Sequence, residues 1–138
     1  MEDIPDDTLD ERIRRLVDVL NQVPGVVTRG SCGGHPDPQP GQWPMGTCYV
    51  SFRIDPDERG WYALEFLTWA VGQYQRAGGP WGLRVWSAGL SPVTAGRCLF
   101  FALIGTHGVN PDDLAESIGE WLETVFWPYY GSLKPPAA

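Results

Sequence analysis

The sequence predicts a single α/β domain of the α+β kind: a four-stranded mixed or antiparallel sheet with about three helices, in the order α-β-β-α-β-β-α. Three observations lead there. At 138 residues the chain has the usual length of one domain with one core. An apolar share of 43 % and a charged share of 20 % are globular values. Helical periodicity then alternates with runs of period two, with no internal repeat and no linker between them. Residues 1–138 are read as one unit, with 1–7 and 132–138 as flexible tails.

The elements follow in order. Thr8 and Glu11 have capping-box spacing, and Leu9, Ile13, Leu16, Val17 and Leu20 recur at helical intervals, so a first helix is expected over about Leu9 to Gln22. Pro24-Gly25 stops it, and Val26-Val27-Thr28 is β-branched enough to start a short strand. Gly30 to Gly46, with Pro36, Pro38, Pro40 and Pro44, reads as an ordered turn that opens into an exposed loop. Cys48, Val50, Phe52 and Ile54 alternate with Tyr49, Ser51 and Arg53, the mark of a strand with one buried face. Asp55-Pro56-Asp57 ends that strand. A second helix is expected from about Arg59 to Arg76, with Ala77-Gly78-Gly79-Pro80 as its stop.

Leu83 to Ala88 and Arg97 to Ile104 read as two further strands, joined through the turn-rich Gly89 to Gly96 as an antiparallel hairpin. Asn110 is placed to cap the third helix, Pro111 suits its first position, and Asp112 and Asp113 complement its dipole. Leu114, Ile118, Trp121, Leu122 and Val125 form its apolar face, and it is expected to end near Pro128. Helices packed mainly on one face of the sheet leave the other face or an edge open to a ligand or a second subunit.

Charge narrows the partners. Lys and Arg total ten against seventeen acidic residues, a net charge of −7, and Lys134 is the sole lysine. Gripping a nucleic acid backbone requires cations to displace counterions, so a bulk DNA or RNA binder is disfavoured. Three cysteines (Cys32, Cys48 and Cys98) form no Cys-x-x-Cys pair, which suits a reducing compartment. Met1 to Asp10 lacks a signal pattern, and no apolar run approaches the roughly 20 residues of a membrane span. A cytoplasmic protein without membrane contact is expected.

The segment Thr28-Arg29-Gly30-Ser31-Cys32-Gly33-Gly34-His35 follows a strand, and its glycines let backbone N–H groups converge on an anion. Ser31 offers a hydroxyl, Cys32 a thiol, and His35 a donor that switches near neutral pH. A tight turn whose glycines serve geometry alone accounts for the same residues. If strand order brings this segment beside Gly105-Thr106-His107-Gly108, the two supply two imidazoles, two hydroxyls and several N–H groups, with Trp or Tyr for stacking a base. Arg29, Arg53 and Arg97 are candidate phosphate partners. Cys32, His35, Cys48 and His107 could complete a zinc tetrahedron, but the spacing is no recognised signature and Cys48 is expected in the core, so no metal site is assigned. A Cys32 nucleophile paired with His35 or His107 is chemically feasible, yet nothing identifies an oxyanion site. No catalytic motif stands on its own.

The run from the first helix through Val-Pro-Gly-Val-Val-Thr-Arg-Gly-Ser-Cys-Gly-Gly-His resembles the opening of the wybutosine-synthesis methyltransferase family, which modifies a tricyclic guanosine in tRNA. That family carries Thr and then Ser-Ser-Cys-Ser-Gly-Arg after a strand. Thr28, Ser31, Cys32 and Gly34 match; Gly30, Gly33 and His35 replace a Ser, a Ser and the Arg. The resemblance implies the fold and S-adenosylmethionine as cofactor.

Three functions are therefore expected to compete. The first is a small-ligand-binding protein that holds or sequesters a nucleotide-like molecule at Thr28, Arg29, Ser31, Cys32, Gly33, Gly34, His35, Thr106 and His107, as a viral anti-defence protein would. The second is an S-adenosylmethionine-dependent tRNA methyltransferase or a degenerate relative. The third is an interaction module, as a homo-oligomer, binding through exposed tryptophans.

Overall fold

Ile13, Leu16, Val19 and Leu20 share one face of helix α1 (Glu11–Leu20) and all are buried. In a computed structural model, residues 11–32, 47–76, 79–87, 90, 92–94, 99–106 and 109–131 are described, with Cys32, Trp86 and Thr94 in backbone only. After α1 come strands β1 (Val26–Cys32) and β2 (Cys48–Ile54), helix α2 (Glu58–Arg76), strands β3 (Trp81–Ser87) and β4 (Leu99–Gly105), and helix α3 (Pro111–Trp121). The strands form one antiparallel sheet in the order β1-β2-β4-β3. This is the predicted α+β architecture. Thr8 and the two expected tails lie outside the described residues.

Strand β1 is longer than its β-branched start suggests. It continues through Gly30, Ser31 and Cys32, which pair with Ser51, Val50 and Tyr49 after a register shift between Thr28 and Gly30. The reading of Ser31 and Cys32 as part of a glycine-rich turn is thus corrected. Glycine and serine are turn-forming locally, but β2 offers a full row of backbone partners, and a bulge at Arg29 absorbs the mismatch. The Ser51 hydroxyl adds a bond to the Gly30 carbonyl at 3.2 Å. Strand β3 likewise begins two residues earlier than expected, at Trp81, and pairs as a hairpin partner with β4.

One face of the sheet carries the core. Val50 and Phe52 of β2 and Phe101 and Leu103 of β4 pack with Ile13, Leu16, Phe66, Leu67, Leu114 and Ile118. Full burial of each such Leu, Ile or Phe contributes roughly 1.5–3 kcal/mol, which fixes the helices to this face. Asn110 caps α3 as expected, its side chain accepting from the Asp112 N–H at 3.0 Å, with Pro111 at the first turn.

The third helix ends beside Pro128 as expected, at Tyr129, but it does not stay α-helical up to that point. It passes into a π turn (Leu122–Phe126) and then a last α turn (Trp127–Tyr129). Proline has no N–H and its ring presses on the carbonyl four residues back, here Thr124. Widening the turn, with the Trp127 N–H bonded to the Leu122 carbonyl, lets the helix run on to Tyr129.

Candidate functional site

The opposite face of the sheet belongs to β-strand residues that alternate with the core. Registers place Cys32, Tyr49, Ile104 and Gly82 in one row across all four strands, and Gly30, Ser51, Ala102 and Arg84 in the next. None of Ser51, Ala102 and Ile104 belongs to the helix-packed core, yet all three are buried. The floor of this face is therefore made of small side chains and withdrawn from water. Half-buried Tyr49 stands at one end. A Cβ at Gly82 would meet nothing within 4 Å, so the space above that glycine is open. At the other end the Arg53 guanidinium lies 5.7 Å from the Phe100 ring centre, a cation–π contact.

The same registers set the ends of the strands. Cys48 pairs with Gly105 and Cys32 with Tyr49, so β1 and β4 finish at one end of the sheet with β2 between them. Two strand spacings, about 10 Å, separate them. Cys32 and Gly105, the last residues of β1 and β4, both stand at this end.

Individual site residues have the following places. The Thr28 hydroxyl donates to Asn21 Oδ1 at 3.0 Å, tying β1 to the end of α1. Arg29 is exposed at the bulge. Ser31 is buried and paired with Val50, in register with the helix-covered face. Cys32 closes β1. The Thr106 hydroxyl donates to the Pro80 carbonyl at 3.3 Å, and its N–H bonds the same oxygen, which clamps the end of β4 to the start of β3. Gly105 gives no room to a ligand: a Cβ there would come within 2.6 Å of Val109 and 2.8 Å of the Trp81 ring. Gly33, Gly34, His35 and His107 lie outside the described residues, as do Arg97 and Cys98.

No family model matches this chain, and no curated protein or solved structure does either.

Its chemistry must then be taken from the residues themselves. Cys48 is buried with Val50 and Phe52 in the core, as expected. Among the described residues no group of three His, Cys, Asp or Glu side chains could hold a metal ion. No helix of the described residues is long and apolar enough to cross a membrane. Sequence reasoning passed over Tyr49, Ala102 and Gly82. Their signal was present: the outward positions of β2 were legible from alternation, but which β4 and β3 residues join them depends on register, and register is set by non-local pairing.

Proposed function

We propose that the protein binds a small nucleotide-like molecule where β1 and β4 end, on the face of the sheet that the helices do not cover. The observation that carries this reading is the row Cys32, Tyr49, Ile104, Gly82. That row brings the ends of β1 and β4, Cys32 and Gly105, to one end of the sheet, beside the Tyr49 ring and the open space above Gly82. Tyr49 is the stacking surface for a base, and Arg53, about 13 Å along β2 at the other end of the face, is the cation for a phosphate that extends that far from the base. The net charge of −7 favours a small ligand over an extended nucleic acid. A cytoplasmic protein that sequesters such a molecule fits these features. S-adenosylmethionine, the cofactor implied by the resemblance in Thr28–His35, carries an adenosine and is the alternative occupant of the same place.

Native mass spectrometry of freshly purified protein, with denaturing extraction of any bound species, followed by calorimetric titration with adenine and guanine nucleotides and with S-adenosylmethionine, tests this. Saturable nucleotide binding is expected, weakened about tenfold by Tyr49→Ala through loss of stacking, with Tm little changed. No binding across the panel, or equal binding by Tyr49→Ala, overturns the reading. Binding of S-adenosylmethionine alone moves the assignment to the methyltransferase alternative.

An interaction module is the second reading, favoured by the exposed Val85, Leu90, Val93 and Leu99 around the β3–β4 connection. The same spectra distinguish it: an oligomer that dissociates on dilution, with no small ligand, supports that function instead.

A further inference from the structure

Helix α2 and the C-terminal helix meet along a seam of aromatic rings far from the sheet end. Tyr62 stacks on Tyr130 with ring centres 4.7 Å apart, Phe66 meets Phe126 edge-on at 5.2 Å, and Trp69 meets Trp121 edge-on at 5.1 Å. The residues on α2 recur at i, i+4 and i+7, so one helix face supplies all three rings. Where the seam reaches the surface it opens into a cleft of about 410 Å³ lined by Glu65, Phe66, Trp69, Val125, Tyr129 and Tyr130. That volume lies in the range of small-molecule sites.

The lining has one electrical sign. Aromatic faces carry the negative lobe of the ring quadrupole, Glu65 adds a carboxylate, and none of the six described lining residues is basic. The Tyr130 hydroxyl donates to Glu65 Oε2 at 3.4 Å, and burial, then the Glu65 carboxylate, hold its pKa above the ordinary phenol value, so it stays protonated. An anionic nucleotide is repelled here, and a neutral molecule without N–H or O–H donors makes no use of the carboxylate. A primary ammonium brings three N–H donors, for which Glu65 and the two tyrosine hydroxyls are the side-chain acceptors among the described lining residues, while any donor turned toward Phe66, Trp69 or Val125 loses its water without replacement. A cation whose nitrogen bears only alkyl groups has no such donors and is attracted by both the rings and Glu65.

We propose that this cleft binds a small quaternary ammonium cation, a trimethylammonium group of the choline type. The site is separate from the sheet end, and its test does not depend on nucleotide binding.

Full-length protein is titrated with choline and with 3,3-dimethylbutan-1-ol, its uncharged carbon isostere, by calorimetry and by the indole N–H resonance of Trp69, assigned with Trp69→Phe. Choline is expected to bind saturably and shift Trp69, with the alcohol at least about fivefold weaker, the worth of an exposed cation–π contact plus counter-charge. Glu65→Gln is expected to weaken choline about three- to fivefold. Tyr129→Ala weakens it as well; Tyr129 is 80 % exposed and Glu65 is also on the surface, so both variants keep the fold. Equal affinity for the alcohol, choline binding untouched by both substitutions, or no saturable binding of choline overturns the proposal.

Discussion

Gly25 has φ +89°, a region that L side chains rarely adopt, and a Cβ there would lie 2.7 Å from the Arg59 backbone carbonyl carbon. Its own carbonyl accepts the Asp55 N–H at 2.8 Å, so the turn after α1 is seated against the turn before α2. Alanine would meet both the conformational cost and the backbone it touches. Gly25→Ala is expected to destabilise the fold by about 2–3 kcal/mol, read as a lower urea midpoint at unchanged m-value. Tyr130 makes a prediction in pH. Its folded pKa is raised, by burial first and by Glu65 second, so the native state holds the proton more tightly than the unfolded chain. Stability is unaffected below the unfolded value near 10 and falls as pH rises through the raised folded value. Tyr130→Phe should flatten that alkaline decline in thermal melts between neutral pH and the onset of general base denaturation. At this scale Asn110 and Cys48 were legible because a cap and a core position follow from their immediate neighbours. Ser31 was not, because its environment is made by Val50, nineteen residues away.

Helix α2 owes its start to Asp57, whose Oδ1 accepts the Arg59 N–H at 2.9 Å and the Gly60 N–H at 3.3 Å. Two of the first-turn donors are satisfied by one carboxylate. Asp57→Ala is expected to cost about 1 kcal/mol, visible as a lower Tm without change in ligand binding at the sheet end. The element boundaries that sequence reading found, β2 over Cys48–Ile54 and the end of α2 at Arg76, are those marked by strong local signals on both sides. Those it missed have a different cause. The end of β1 was hidden because Gly30 and Ser31 look like a turn until β2 is laid beside them. The end of the C-terminal helix beside Pro128 was legible, but the π turn before it was hidden, because nothing in Leu122–Phe126 announces one.

At the scale of the molecule, the sheet divides the chain into two chemistries. One face is given to α1, α2 and α3 and their shared core; the other holds Tyr49, Arg53, Phe100 and the small floor of Ser51 and Ala102. The fold class and the packing of the helices on one face of the sheet were legible, since three amphipathic helices and four short strands have few ways to bury their apolar sides. Near the candidate site, the strand directions bring β1 and β4 to finish at one end of the sheet with β2 between them, while Tyr49 and Gly82 become neighbours of that end only through register. The aromatic cleft was not legible, since the tryptophans and tyrosines of α2 and the last helix are equally good core residues until their angles of approach are known.

The strand order also bears on how the protein is made. In β1-β2-β4-β3 the last strand to be synthesised lies inside the sheet, so the ribosome releases β2 with one edge bare and β3 with no neighbour at all. Until Gly105 has emerged, β3 has no partner within the nascent chain and β2 has only β1. The open Cys48–Ile54 edge is then the segment for which a chaperone, or another copy of the same growing polypeptide, competes with the chain's own completion.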